Sequence, residues 1–285
     1  MGISVSVLVF TCISIIGVSG VFLITGLAGM FSLGQASFMA VGAYTSGVLV
    51  VHFGVPFPVA AVTGTLAGVL AGLLVGLPTV RLRRDYIALV TFGFGEAIIA
   101  ILNNLSHITG GAMGLVGIPP MTTLPLVLLS AVFSLFFVWN FKFSKYGRQC
   151  IAIRTDELAA RSMGIHGDGL KLLVFILSAG LSAYAGVLYG FYTTYVDPGL
   201  FNWTRSAEWI IMVFFGGLGS LTGAVVSAIL LGTLPEILRF ASEWRILLYC
   251  VIVLAIINFR PKGLLGEREL RIFKRKTAPE TGGSV

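Results

Sequence analysis

The first 80 residues of the chain contain no aspartate, glutamate, lysine or arginine. A soluble domain needs charged side chains at its surface, and they usually make up about 25% of its residues. The whole chain of 285 residues is 11% charged and 56% hydrophobic, with a mean hydropathy of +0.97. We therefore predict an all-α integral membrane protein, a polytopic bundle of about eight or nine transmembrane helices.

Apolar runs that suit a membrane helix of about 20 residues recur along the chain. They occupy residues 3–24, 38–51, 57–80, 86–102, 124–141, 172–195, 221–238 and 246–259. A shorter run, 207–215, ends in a glycine-rich turn and is interpreted either as a short span or as a broken, re-entrant helix. We expect one transmembrane domain over residues 1–265, and a basic cytoplasmic tail over 266–285 that is disordered at its end.

The net charge of +7 is distributed in a way that indicates membrane topology and argues against nucleic acid as a partner. Of the 19 lysines and arginines, three lie within 81–84, six within 142–171 and seven within 260–276. Basic clusters beside apolar spans mark the cytoplasmic side of a membrane. Residues 104–120 and 197–208 are then expected outside, where Trp203 and Trp209 fit an aromatic belt at the interface.

Glycine accounts for 36 residues, and many glycines are spaced for close packing of helices. Three clusters also carry polar residues: 26–37, 91–96 and 215–223. Irregular backbone at membrane depth persists only where protein or a wet cavity satisfies its polar groups, so broken helices often form transport pathways. The pathway candidates in the first and third clusters are Ser32, Gln35, Ser37, Gly216, Gly217 and Gly219. Plain interhelical packing is an equally open interpretation.

Glu96 lies in the middle of the run 86–102. A carboxylate facing lipid at that depth costs roughly 2.5–3.5 kcal/mol, so Glu96 should face a bundle interior, a partner subunit or water. Helical spacing places Asn103 on the same face. We list Glu96 and Asn103 as pathway candidates, and a structural hydrogen bond between helices remains the alternative.

A charged segment, residues 142–171, interrupts the apolar sequence and holds nine charged side chains. We predict a short helix over residues 156–163, capped by Thr155 or Asp156 and ended by Gly164. Ala159, Ala160 and Gly164 leave it a face of small residues. The segment is either a solvated surface helix or a docking site for another protein.

Enzyme motifs are missing from the sequence. It contains no GxxxxGK[ST] loop for a triphosphate, no HExxH and no GxSxG. The cysteines (Cys12, Cys150, Cys250) and the histidines (His52, His107, His166) are scattered, which indicates neither a disulfide framework nor a metal site. We expect no catalytic residue, no metal site and no cofactor bound by this chain.

Residues 157–164, ELAARSMG, resemble the EAA loop of permeases of ATP-binding-cassette (ABC) importers, although the Leu-Pro of the fuller consensus is absent. Five other stretches resemble the branched-chain amino acid subgroup, with most similarity to its LivM-type subunit. They are GMFSLGQASFMAVGAY (29–44), LRRDYIALVTFGFGE (82–96), TGGAMGLVGIP (109–119), FFGGLGSLTGA (214–224) and FRPKGL (259–264).

The resemblance implies a permease of a bacterial or archaeal cytoplasmic (inner) membrane. Its partners would be a second, LivH-type permease, two cytoplasmic ATPases that bind ATP and Mg²⁺, and an extracytoplasmic binding protein. The cargo would be branched-chain or other hydrophobic amino acids, and relatives also carry urea, amides or aromatic acids. The loop 154–165 would contact the ATPase, through the residues Arg154, Asp156, Glu157, Ala159, Ala160 and Gly164.

Two other classes of function remain possible from the residues alone. A stand-alone secondary transporter would use Glu96 as a proton-coupled carboxylate. A membrane scaffold without transport activity is the other. Dependence on a partner ATPase distinguishes the importer permease from both.

Overall fold

The computed structural model of the chain describes residues 5–82 and 84–237, together with Leu254, Gly263, Leu264, Gly266 and Glu269. The span expected at 246–259, the basic cluster at 260–276 and the tail at 266–285 therefore lie outside the described residues, apart from these five positions. Within the described part the chain is mostly helical.

The helices follow one another with short connections. They are α1 (Val5–Val21, continued by a π-helical segment, Phe22–Leu27), α2 (Gln35–Phe53), α3 (Phe57–Thr79), α4 (Arg84–Asn104), α5 (Ser106–Thr109), α6 (Leu124–Phe143), α7 (Lys145–Thr155), α8 (Glu157–Ser162), α9 (Gly167–Thr193), α10 (Trp203–Gly216) and α11 (Leu221–Ile237). Short 3₁₀ turns occupy Gly111–Met113 and Pro198–Phe201. The strands β1 (Leu115–Val116) and β2 (Tyr195–Val196) pair antiparallel, so that Leu115 lies opposite Val196.

Six helices of the described residues are long and apolar enough to cross a membrane. They are Val5–Leu27, Gln35–Phe53, Phe57–Thr79, Tyr86–Asn104, Leu124–Phe143 and Gly167–Thr193. The apolar helix Leu221–Glu236 is shorter. The short run at 207–215 lies in α10, which packs against α11 as a helical hairpin joined by residues 217–220.

The core of the bundle forms where α9 packs against α1, α2 and α3. Small residues allow these backbones to approach closely: a side chain at Gly68 or Gly72 of α3 would overlap Ala183 or Ala179 of α9. Gly42 of α2 lies against the backbone of Ala183 in the same way. The prediction that the glycines of α3 serve interhelical packing is confirmed, because without a Cβ the helices can come into contact.

Three basic residues of the charged segment lie at the same end of the bundle. Lys142, Arg154 and Lys171 lie at one end, which we call the basic end. At the opposite end, the Tyr192 hydroxyl at the close of α9 donates to Ser6 Oγ at the start of α1, over 3.0 Å. Such clustering of basic residues is what the positive-inside rule predicts for one side of a membrane protein.

The expectation that Trp209 lies in an interfacial aromatic belt is wrong. Trp209 is fully buried, and its ring occupies the space that a side chain at Gly17 would need. Trp203, one helical turn and a half earlier, is half exposed. The difference arises because α10 turns the face that carries Trp209 toward α1.

Candidate functional site

The charged segment 142–171 folds into the end of α6, the helices α7 and α8, and the start of α9. Asp156 caps α8: its Oδ1 accepts hydrogen bonds from the backbone N–H of Leu158 (2.9 Å) and of Ala159 (3.0 Å). Gly164 follows the helix with φ of +79°, a conformation that other residues adopt only with strain. The predicted cap and the predicted stop are both confirmed.

Ion pairs fix α8 to the beginning of α9. Lys171 Nζ donates to Glu157 Oε1 over 2.7 Å, and Arg161 donates both to Glu157 (3.0 Å) and to Asp168 (3.1 Å). The hydrogen bond from Lys171 holds the pKa of Glu157 below its ordinary value, with a further contribution from Arg161. Glu157, the first residue of the EAA-like motif, therefore anchors α8 to its own chain.

The outward face of α8 is apolar at its two ends. Leu158 is 79% exposed and Met163 is 83% exposed, and Ala159 between them is also exposed. Ala160 is buried against the chain itself. Two large apolar side chains held in water on a rigid, capped helix form a surface that another protein can cover. We call Leu158, Ala159 and Met163 the α8 tip.

Leu158 and Met163 were not predicted from the sequence as surface residues, although a signal was present. Leu158 belongs to a six-residue helix and Met163 directly follows it, and so short an element between charged turns cannot bury both of these large apolar side chains. Of the six candidates for the ATPase contact, Ala159 and Gly164 lie open to solvent, and Asp156 is exposed while it caps α8. Glu157 and Ala160 lie on the inner side of the helix.

Arg154, the last of the six, points into the bundle. It lies in the final turn of α7, and its Nη1 donates to the backbone carbonyl of Gly26 and to that of Leu218 (3.2 Å). Gly26 belongs to the π-helical segment that ends the first span, and Leu218 to the turn between α10 and α11. The side chain thus connects the charged segment to the π-helical end of the first span and to the turn between α10 and α11.

The three polar glycine clusters meet in space. The backbone N–H of Leu33 donates to Thr91 Oγ1 over 3.1 Å, and Gly34 lies directly on the backbone of Thr91, which joins the first cluster to the second. Gly26 lies against the carbonyl of Leu218, which joins the first cluster to the third. Nothing in the sequence spacing of these clusters showed that they share one region.

Gln35 is the centre of a buried polar network at the start of α2. Its Oε1 accepts a hydrogen bond from Ser182 of α9 over 2.7 Å, and its Nε2 donates to Ser32 Oγ over 3.4 Å. The Ser178 hydroxyl of α9 lies 3.2 Å from the same Oε1 and 2.7 Å from the carbonyl of Gly20, between which its one proton is shared. Ser37 Oγ donates to the carbonyl of Gly34 over 2.6 Å. These pathway candidates are fully buried, and each has a hydrogen-bond partner within the chain.

The turn 217–220 is held from several sides at the basic end. Lys142 Nζ donates to the carbonyl of Gly219 and forms an ion pair with Glu269. Glu269 caps α11 by accepting from the backbone N–H of Leu221 (2.8 Å) and from the Thr222 hydroxyl (2.9 Å). Burial favours the neutral carboxyl of Glu269, but the hydrogen bonds from Lys142 and Leu221 outweigh it and lower its pKa.

Two glycines allow this turn to be so compact. Gly217 has φ of +111° and lies against the backbone of Gly266, while Gly216 lies against Gly223 at the start of α11. Side chains at these positions would separate α10 from α11 and from the C-terminal segment. Gly216 and Gly217 therefore shape the turn itself, while Gly219 contributes the carbonyl that accepts from Lys142.

Glu96 and Asn103 lie apart from this region, on an exposed face of α4. Only 17% of the most apolar stretch of α4 is buried inside the chain, whereas 78% of the corresponding stretch of the first span is buried. Within the described part of the chain Glu96 has no ion pair, and a side chain added at neighbouring Gly93 would meet nothing within 4 Å. The face is open in the isolated chain.

No cluster of three or more His, Cys, Asp or Glu side chains suited to a metal ion occurs among the described residues. Burial raises the pKa of the Cys150 thiol to about 11, so this thiol stays protonated near neutral pH. The polar groups at the basic end form hydrogen bonds, helix caps and ion pairs. This arrangement is suited to holding and moving helices.

Comparison with known proteins gives a consistent result. The family model described as "Branched-chain amino acid transport system / permease component" matches residues 3–257. The high-affinity branched-chain amino acid transport system permease proteins LivM of Salmonella typhimurium and Escherichia coli are both 32% identical over 92% of this chain and 70% of their own length. LivH of Escherichia coli is 28% identical over 45% of this chain and 42% of its own. No solved structure matches the chain.

Proposed function

The chain belongs to the family of permease components of branched-chain amino acid transport systems, and we propose that it is a membrane-spanning subunit of an ABC importer. A separate ATPase that docks on residues 154–165 would supply the energy. The observation that carries this proposal is the α8 tip, an exposed apolar surface on a helix that is capped by Asp156 and tied down through Glu157. A helix held in this way at the basic end can be displaced as a unit by a soluble partner that binds it.

The proposed topology has nine crossings, with the amino terminus outside and the basic end in the cytoplasm. The six long helices supply six crossings, and the hairpin of α10 and α11 supplies two. The ninth is the apolar run 246–259, which lies outside the described residues. The contacts of Leu218 with Arg154 and of Gly219 with Lys142 support a full crossing by α10, because they bring its end to the basic end.

ATP and Mg²⁺ would be bound by two cytoplasmic ATPase subunits, and this chain would bind neither. The α8 tip presents Leu158, Ala159 and Met163 to a groove on one of them. Apolar anchors in the centre of an interface usually supply most of its binding free energy. Glu157 would act from beneath, by holding the helix that makes the contact, while Arg154 would contact the bundle behind it.

The partner in the membrane would be a LivH-type permease, because relatives of that name and of the LivM name both match this chain. The open face of α4 is our candidate for the surface shared with it. Glu96 on that face would cost roughly 2.5–3.5 kcal/mol if it met lipid, so a polar pathway between the two permeases suits it better. Asn103 lies two turns further along α4 and extends the same polar face.

The cargo would be a branched-chain or other hydrophobic amino acid, as the names of the relatives indicate. It would be delivered by an extracytoplasmic binding protein. The outer surfaces 104–120 and 197–208 are candidates for that contact, and the pairing of β1 with β2 joins them into one surface. Urea, amides or aromatic acids are the alternative cargo, and a stand-alone transporter that uses Glu96 is the alternative mechanism.

The docking claim is tested by replacing the apolar anchors of the α8 tip. We expect the double variant Leu158→Ser, Met163→Ser to insert into membranes and to lose the ATPase during affinity purification. Tyr146→Ser is the matched control, because Tyr146 is an exposed aromatic residue of α7 away from the tip. Retention of the ATPase by the double variant would refute docking at α8.

The cargo is tested on the partner that selects it. Calorimetric titration of the purified binding protein with leucine, valine, urea and phenylacetate distinguishes the candidate classes. Tight binding of leucine and valine alone supports the amino-acid proposal. Binding of urea or of the aromatic acid instead would assign the chain to a different transport system of the same family.

A further inference from the structure

The contacts of Arg154 suggest a role that docking alone does not explain. The guanidinium lies at the point where the π-helical segment Phe22–Leu27 and the turn 217–220 come together. Both acceptors, the carbonyls of Gly26 and Leu218, belong to backbone where a regular helix is interrupted. Such carbonyls lack an ordinary helical partner and must find another donor inside the bundle.

The fit of the side chain is close along its whole length. Gly29 has φ of +68°, and a Cβ added there would lie 2.7 Å from Arg154 Cγ. The aliphatic part of Arg154 therefore packs directly on the backbone of Gly29 in the first glycine cluster. Its guanidinium contacts Leu218 in the third cluster. The planar guanidinium presents five donors in a fixed geometry, so it can bridge two carbonyls with one orientation.

Arg154 is also connected rigidly to the α8 tip. Only Thr155 and Asp156 separate it from α8, and Asp156 is at once the residue after α7 and the cap of α8. The backbone N–H of Asp156 donates to Ala152 of α7 over 3.0 Å, while its carboxylate holds the first turn of α8. A displacement of α8 must therefore move the last turn of α7.

We propose that Arg154 is the positioning residue that passes the displacement of α8 to the π-helical end of the first span and to the turn 217–220 between α10 and α11, so that these two segments move together. This inference rests on the proposed function and names the route by which docking reaches the pathway. Lys142 holds Gly219 of the same turn from α6, an element outside the α7–α8 unit. The turn therefore has two contacts: Arg154, which would move with α8, holds Leu218, and Lys142 of α6 holds Gly219.

The test is a comparison of variants in the complete transporter, reconstituted with its second permease, ATPases and binding protein. Arg154→Met keeps the length of the side chain and removes its donors, while Arg154→Lys keeps the charge but not the bridging geometry. Arg148→Met is the matched control, because Arg148 is an exposed arginine of α7. The readouts are ATPase retention on purification, ATP hydrolysed and radiolabelled leucine imported.

We expect Arg154→Met to retain the ATPase and to hydrolyse ATP, while leucine imported per ATP falls about fivefold or more, the usual size of a coupling between two sites. Arg154→Lys should give an intermediate ratio and Arg148→Met the native one. An unchanged ratio in Arg154→Met, or loss of the ATPase from that variant, would overturn the proposal. If Arg154→Met does not fold, a native ratio in Arg154→Lys overturns it.

Failure of the proposed function would be visible separately, in the native complex. In that case the native transporter would show no ATP-dependent uptake of leucine at all. A native complex that couples ATP to uptake, with Arg154 variants that couple equally well, would refute the inference about Arg154 alone.

Discussion

Lys171 Nζ lies 2.7 Å from Glu157 Oε1 and so ties the first residue of α8 to the early part of α9. The Lys171 side chain is 6% exposed, which means that the ion pair is formed largely out of water. Arg161 adds a second hydrogen bond to the same carboxylate. The helix that would receive the ATPase is therefore held to a long membrane helix by charge.

The first prediction concerns pH. The pKa of Glu157 is lower in the folded protein than in the unfolded chain, so its stabilising effect is complete above the ordinary glutamate pKa of about 4.3. The effect is lost as the pH falls through the lower, folded-state pKa. We expect hydrogen-exchange protection of α8, corrected for intrinsic rates, to fall in that range. In Glu157→Gln, the protection of α8 should be weaker and should not change in this pH range. If the variant showed the same pH-dependent fall, another group would be responsible for it.

The second prediction concerns the end of α8. Gly164→Ala places a Cβ at φ of +79°, which costs about 1–2 kcal/mol for a residue with a side chain. We expect this variant, and Gly164→Asp more strongly, to disorder the end of α8 and to weaken ATPase retention. Gly169→Ala is the control, because Gly169 is equally exposed and lies in the first turn of α9. Equal retention by both alanine variants would show that the shape of α8 is not needed.

The third prediction concerns Glu96. Glu96→Gln removes the charge but keeps the shape, and we expect it to lower the uptake of leucine by the assembled transporter. Its effect on thermal stability should stay within the range of about 0.5 kcal/mol that is usual for exposed positions. Native uptake combined with a clearly lower melting temperature would assign Glu96 to a structural hydrogen bond with a partner helix.

The fourth prediction concerns Gln35. Gln35→Leu removes the acceptor of Ser182 from a fully buried site, and we expect a loss of about 1–3 kcal/mol in stability. Thermal unfolding in detergent measures the loss. Ser182→Ala should cost less, because Gln35 keeps its hydrogen bond to Ser32 and its contact with the Ser178 hydroxyl in that variant. A stable Gln35→Leu chain that fails to transport would instead favour a role for Gln35 in the pathway.

Much of the architecture follows from the sequence because it depends on local physics. Length and apolarity located all six long helices within a few residues of their ends. The cap at Asp156 and the stop at Gly164 were predictable because each depends on one residue and its neighbours. The glycines of α3 were predictable as packing residues for the same reason.

What the sequence did not show depends on which distant segments meet. Arg154 was expected at a docking surface, and only the fold places its head group between Gly26 and Leu218. Trp209 was expected at an interface, and it is buried because α10 packs against α1. The cap of α11 by Glu269, almost 50 residues further along the chain, has no local signal. These contacts involve single side chains and backbone atoms, which hydrophobic periodicity does not predict.

The most direct test of the central claim is the uptake of radiolabelled leucine into liposomes that contain either this chain alone or the complete assembly. We predict no uptake by the chain alone, with or without a proton gradient. Uptake should appear only when the second permease, the ATPases, the binding protein and ATP are all present, and it should disappear with the double variant of Leu158 and Met163. Uptake by the chain alone, driven by a proton gradient, would contradict the account.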